Sequence, residues 1–160
     1  MVPTVKMAAK VMIWGAVSVA GRAGMWIMPK DTTINGKVYL GILKDKLPNF
    51  MSIHGTTYFQ RDGAPCHGTK VVTSWIMDSG YQILGPWPGN SPNLNVIENV
   101  WTVLKRKVAD RNPTSAKDLQ KKIKLACITE ITPEYCQKLV HLMLEHIAAV
   151  LENKGFHSKY

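Results

Sequence analysis

Asp62 and Glu98 are the two carboxylates of this 160-residue chain whose settings suit chemistry. Asp62 closes a stretch with strand character, Thr56 to Arg61, and opens the turn Asp62-Gly63-Ala64-Pro65. Glu98 falls in the first turns of a helix that follows the next strand. In an open α/β sheet, functional groups gather at strand ends and at the starts of the adjoining helices. Two carboxylates meeting there can hold a divalent cation through oxygen ligands. Magnesium kept between carboxylates and phosphate oxygens activates water or a 3′ hydroxyl, and a pair of such ions about 3.5–4 Å apart cuts phosphodiesters. On spacing alone the commoner reading is different: a turn-forming Asp and an exposed helical Glu. Thr102 and Lys105 share the helix face of Glu98, with Arg106 and Lys107 beside it. Such a basic stripe fits a DNA backbone lying across the helix, and equally an ordinary solvated face.

The charge distribution bears on the same question. Residues 1–60 hold seven Lys/Arg and two acids, 61–100 two and three, and 101–160 eleven and six, so two segments of +5 flank one of −1, giving +9. A surface gripping phosphates around a cation-binding centre has this pattern, as does a chance scatter of surface lysines. At 46% hydrophobic and 19% charged, the composition excludes a disordered tail, and the length suits one domain with a real core. The three cysteines, Cys66, Cys127 and Cys136, form no CxxC pair; they read as reduced thiols of an intracellular protein, with neither a disulfide framework nor a zinc knuckle. Lys6 and Lys10 before the apolar run 11–17 meet the bare outline of a signal peptide. That run is short, holds Gly15 and passes at once into a second apolar stretch, so it reads as a hairpin and the chain as not secreted. No apolar run approaches the roughly 20 residues that span a bilayer, and no membrane partner is expected.

The elements that must position these residues follow from periodicity. Residues 11–18 and 25–29 read as two strands joined by a glycine-rich turn. Asn35 caps a helix carrying Tyr39, Leu40, Ile42, Leu43 and Leu47, with Pro48 and Asn49 after its last turn. A strand over 56–61 leads into the Asp62 turn, and a helix over 67–79 presents Val71, Val72, Trp75 and Ile76. Tyr81 to Leu84 form another strand before the turn-rich Gly85 to Asn90. Ser91-Pro92 opens the helix whose apolar face is Leu94, Ile97, Trp101, Leu104 and Val108. Ser115 with Asp118 opens the next, and Thr132-Pro133 the last, whose face is Tyr135, Leu139, Met143, Ile147 and Val150 and which stops near Gly155. The order is an α/β pattern with a helical C-terminal extension from about residue 112.

Two long motifs carry a family resemblance. Tyr58-Phe59-Gln60-Arg61-Asp62-Gly63-Ala64-Pro65-Cys66-His67 resembles the strand and turn holding the second catalytic Asp of mariner-superfamily DNA transposases. Trp87-Pro88-Gly89-Asn90-Ser91-Pro92-Asn93-Leu94-Asn95-Val96-Ile97-Glu98-Asn99-Val100-Trp101 resembles their third-acid motif. Val11 to Gly15 resembles the second strand of the same domain, and Gly155 to Tyr160 its C-terminal ending, so the similarity covers nearly all of the chain. The resemblance implies an RNase H-like mixed sheet flanked by helices, and a three-carboxylate, Mg2+- or Mn2+-dependent cut-and-paste reaction on DNA, in the nucleus of a eukaryote. Asp62 becomes the second carboxylate and metal ligand and Glu98 the third. His67, part of the matched motif, takes either a supporting place or that of a buried or surface histidine of no catalytic consequence, and Lys105, Arg106 and Lys107 become candidate DNA contacts.

The sequence also departs from the family pattern. The ten residues before Val11, where the family's first strand and first Asp are sought, hold no Asp or Glu, and Asp31 and Asp45 fall too late to replace it. The family's helix-turn-helix DNA-reading domains have no counterpart here. Asn93 stands for a usual Asp, Val96 for a usual Pro, and Gly85 lengthens the Asp62–Glu98 interval by one. The expectation is therefore a single partial catalytic domain over 1–160, its first strand missing and its catalysis impaired, or else a nonenzymatic DNA-binding or protein-interaction remnant. A missing central strand exposes backbone groups at about 1–3 kcal/mol each, against a domain stability of only about 5–15 kcal/mol. Direct pairing of the strands around the gap, a strand borrowed from a homodimer partner or another chain, or poor folding are the expected consequences.

Overall fold

The computed structural model describes residues 10–85 and 95–152. The first two apolar runs form an antiparallel hairpin of β1 (Ile13–Ser18) and β2 (Gly21–Ile27). The turn is tighter than the glycines suggested: Ser18 pairs with Gly21, so only Val19 and Ala20 cross between the strands. Gly24 consequently lies within β2, where it serves packing. A Cβ there would meet the Trp26 ring at 2.0 Å, and that ring lies 5.0 Å from its cross-strand partner Trp14.

The helix α1 (Gly36–His54) starts at the expected cap, with the Asn35 side chain accepting from the Val38 N–H at 3.0 Å. It does not end before Pro48. Pro48 removes one hydrogen bond from the helix interior, a cost of about 3 kcal/mol. The apolar spacing nevertheless continues past it, and Phe50 and Met51 join Tyr39, Leu43 and Leu47 in burial. Each such side chain contributes about 1.5–3 kcal/mol when fully buried, enough to carry the helix through the proline. The helix stops at Gly55, whose φ of 58° is left-handed and whose N–H reaches back to the last-turn carbonyls.

β3 (Tyr58–Gln60) pairs in parallel with β4 (Gln82–Leu84), and α2 (Lys70–Asp78) connects them, as a parallel pair requires. This helix begins three residues later than residue 67, because the Arg61 guanidinium occupies the His67 carbonyl and residues 65–68 form a turn. Val72 and Ile76 are fully buried, while Val71 faces solvent instead of the core.

After residues 86–94, α3 (Val96–Asp110), α4 (Ala116–Glu130) and α5 (Pro133–Glu152) follow. The expected cap at Ser91-Pro92, together with Leu94 and the stop near Gly155, lies outside the described residues. Ser115 Oγ accepts from the Asp118 N–H at 3.2 Å, and Asp118 accepts from the Thr114 N–H at 2.9 Å, one residue before the expected box. Thr132 Oγ1 accepts from the Tyr135 N–H at 3.2 Å, opening α5.

The chain divides into two compact units, Met1–Asp31 with Ile97–Leu139 and Thr32–Val96 with Val140–Tyr160. The first has a core of Val100, Leu104 and Val108 on α3 against Ile123 and Ala126 of α4, with Ile131 and Cys136; Ile13, Val17, Met25 and Ile27 of the hairpin pack on it. The second buries the α1 stripe with Val72 and Ile76. Each sheet has two strands among the described residues, β1 bonding β2 and β3 bonding β4, so direct pairing across the anticipated gap is not found there. No helix among the described residues is long and apolar enough to cross a membrane.

Candidate active site

Asp62 follows β3 by two residues and sits in the second unit. Its Oδ1 accepts from the Ala64 N–H at 3.0 Å, an Asx turn that explains why Asp precedes Gly63-Ala64-Pro65. The same oxygen lies 2.5 Å from Nδ1 of His67. That nitrogen is closed off from solvent, and its approach is off the line of an ideal hydrogen bond, so the contact is a close polar one between ring and carboxylate. Among the described residues nothing bonds Oδ2, and the Asp62 side chain keeps 37% of its exposure, enough to reach a ligand in solution.

His67 is held on every side. Its ring stacks on the buried Tyr39 with centroids 4.0 Å apart. Its N–H donates to the Ala64 carbonyl at 2.9 Å, and its own carbonyl accepts from the Arg61 guanidinium. The second Arg61 nitrogen donates to Thr73 Oγ1 at 3.0 Å, tying the turn to α2. Burial lowers the His67 pKa below its ordinary value, with Arg61 adding to the effect and the Asp62 carboxylate opposing it. The imidazole is thus neutral at pH 7. Its proton belongs on Nδ1, since a bare lone pair this close to a carboxylate oxygen would be repelled.

Glu98 lies in the first unit, exposed in the opening turn of α3, where a carboxylate opposes the positive end of the helix dipole. Its carbonyl accepts from the Thr102 hydroxyl at 3.0 Å, so Thr102 bonds the Glu98 backbone, and among the described residues nothing bonds the carboxylate. The basic residues divide. Lys105 and Arg106 are exposed and make no ion pair among the described residues. Lys107 reaches Glu130 of α4 at 3.3 Å, and Arg111 meets the same carboxylate at 3.3 Å while donating to the Lys107 carbonyl at 2.9 Å. The Thr129 hydroxyl first, then Lys107 and Arg111, hold the Glu130 carboxyl below its usual value. Lys107 therefore joins α3 to α4.

Sequence reading placed Asp62 and His67 together but missed Arg61, Tyr39 and Thr73 as their supports. Arg61 is signalled by its place in the motif. Tyr39 and Thr73 come from two different helices, and no local pattern marks them.

Residues 3–120 match the family described as DDE superfamily endonuclease. The Tcb1 transposable element transposase of Caenorhabditis briggsae is 29% identical over 162 residues, covering 99% of this chain and 58% of its own length. The chain thus spans little more than half of that relative. Among solved structures, the Mos1 transposase catalytic domain with Raltegravir and Mn superposes with a TM-score of 0.77 at 16% identity, covering 97% of this chain and 80% of that one. A Mos1 paired-end complex with the left transposon end gives 0.80 at 15% identity, over 98% of this chain and 47% of that one. The likeness establishes the expected RNase H-like fold, and the matched residues settle the family: the chain belongs to the DDE superfamily endonucleases and is similar to the Tc1/mariner transposases.

Proposed function

We propose that this chain contributes the catalytic domain of a cut-and-paste DNA transposase, with Asp62 and Glu98 as two of its metal-binding carboxylates. The observation that carries the reading is the asymmetry of Asp62, a partly exposed side chain with one oxygen held by the protein and the other without a bond among the described residues. A magnesium site built from one or two carboxylates, completed by phosphate oxygens and water, asks for such an oxygen, and hard oxygen donors suit Mg2+ or Mn2+. When bound, the ion would polarise the phosphate and activate water or a 3′ hydroxyl. The chain's own residues orient and hold: the Asx turn fixes Asp62, the start of α3 carries Glu98, and Lys105 and Arg106 offer cationic groups to DNA phosphates. DNA is the proposed partner, with a second copy of this chain or another chain supplying a strand, and the nucleus is the proposed location in a eukaryotic cell.

The test is Mg2+- or Mn2+-dependent nicking of supercoiled plasmid by the purified 160-residue chain. Two motif-matched carboxylates within it lead us to expect weak nicking that Asp62→Ala and Glu98→Ala abolish. Nicking that survives both substitutions would overturn the assignment. A nonenzymatic DNA-binding role has one observation in its favour: Lys105 and Arg106 are exposed and make no ion pair among the described residues. It predicts DNA binding, sensitive to salt and indifferent to both substitutions, with no metal-dependent nicking.

A further inference from the structure

The Asp62 carboxylate is engaged on one oxygen only. Oδ1 receives both the Ala64 N–H at 3.0 Å and the His67 Nδ1 contact at 2.5 Å, and no bond among the described residues reaches Oδ2. The Ala64 bond fixes the distance of the carboxylate from its own turn and leaves rotation about the side-chain bonds partly open. The His67 ring closes that freedom, because it cannot itself move. It is stacked on Tyr39 of α1, which is 2% exposed, and its backbone is bonded to Ala64 and to Arg61, which is bonded in turn to Thr73 of α2. Two helices and a turn thus converge to hold one imidazole against one carboxylate oxygen.

We propose that His67 is the positioning residue of Asp62, pinning Oδ1 so that Oδ2 is presented in a fixed direction to a divalent cation. This rests on the reading of Asp62 as a metal ligand. A freely rotating carboxylate loses side-chain entropy when it binds an ion, and one already fixed does not. Groups that orient a metal-ligating side chain typically matter by 10–100-fold in metal affinity. The competing role is packing alone, in which the ring serves only as a flat partner for Tyr39. The two roles separate by substitution. His67→Phe keeps a ring on Tyr39 and removes Nδ1; His67→Asn removes the ring and keeps a donor near the position of Nδ1.

The experiment is Mn2+ binding to the 160-residue chain, followed by electron paramagnetic resonance of the free ion, with thermal melts of each variant. The expected result is saturable binding by the parent chain, lost in Asp62→Ala. His67→Phe should weaken it about tenfold with a melting midpoint close to the parent's, and His67→Asn should largely restore it. Parent-like Mn2+ affinity in His67→Phe, with Asp62→Ala still deficient, overturns the positioning role and leaves Asp62 as a ligand. Parent-like affinity in Asp62→Ala, or no saturable binding by the parent, overturns the ligand reading itself and the positioning role with it. Should His67→Phe fail to fold, His67→Gln replaces it, because its donor falls near Nε2 instead of Nδ1. Equal Mn2+ affinity in the Asn and Gln variants would then overturn the proposal, and weaker binding by Gln would support it.

Discussion

Burial acts on the ionisable side chains of His67, Cys127 and Tyr135 through the same cause, by favouring the neutral form. For His67 the neutral form is the deprotonated one, and the imidazole becomes a fixed neighbour of Asp62 instead of a second cation beside Arg61. For Cys127 the neutral form is the thiol, and burial raises its pKa, a backbone hydrogen bond offsetting only part of the rise. The unfolded chain therefore loses this proton first as pH rises. The stabilisation is fully present below the ordinary value of 9.0 and is lost as pH climbs from there through the raised value. Tyr135, also raised by burial, adds a loss of the same sign further into alkali. Denaturant midpoints measured at pH 8 and pH 10 should fall more steeply in the parent than in Cys127→Ala. Parallel falls in the two proteins would show that Cys127 contributes nothing to alkaline sensitivity. The free thiols themselves were readable from cysteine spacing, whereas the degree of burial that sets this behaviour comes from packing against the α3–α4 core.

At the scale of the element, α1 shows how side-chain burial overrides a local stop signal. Pro48 and Asn49 read as the end of a helix because proline lacks the N–H that the turn needs. Phe50 and Met51 lie one further turn along the stripe of Tyr39, Leu43 and Leu47, and their burial carries the backbone on to Gly55. Pro48 itself is exposed, so replacing it removes no core contact. Pro48→Ala should therefore stabilise the unit by about 2 kcal/mol, the roughly 3 kcal/mol penalty of an interior proline less a smaller gain in unfolded-chain entropy. Gly55→Ala should destabilise it by about 1–2 kcal/mol, since a Cβ meets nothing within 4 Å there and the cost lies wholly in the left-handed backbone. Urea melts of both variants check the pair; a destabilised Pro48→Ala would mean that the proline is compensated in place. Local chemistry wrote the ends that were read correctly: Asn35, Ser115 and Thr132 each cap through their own side chains. The misread ends, at Pro48 and before Lys70, depend on groups brought in from elsewhere, core side chains in one case and the Arg61 guanidinium in the other.

For the whole molecule, the family was legible because the two motifs that carry the resemblance are contiguous strings of residues, while the division into two units was not. That division arises from contacts between distant stretches, the N-terminal hairpin joining α3 and α4 in one core. The net charge of +9 belongs to this scale as well, and the ion pairs decide how much of it is available to a partner. Lys107, Arg111 and Lys122 are drawn onto Glu130 and Asp118 within the first unit. Lys105 and Arg106 of α3 remain exposed, with no such carboxylate among the described residues. Binding to duplex DNA by exposed cations releases condensed counterions, so affinity falls with salt by about 0.9 in the logarithmic slope for each phosphate neutralised. Lys105→Gln and Arg106→Gln should each reduce that slope by about one. Lys107→Gln should leave the slope nearly unchanged and lower the urea midpoint instead, because it frees Glu130 from one of its two cations. Salt titrations of fluorescent duplex binding, run alongside the melts, measure both quantities on the same proteins. A slope lost equally in all three variants would place Lys107 on the DNA and make its pairing with Glu130 incidental. A slope unmoved by the Lys105 and Arg106 variants would assign DNA binding to another face of the chain.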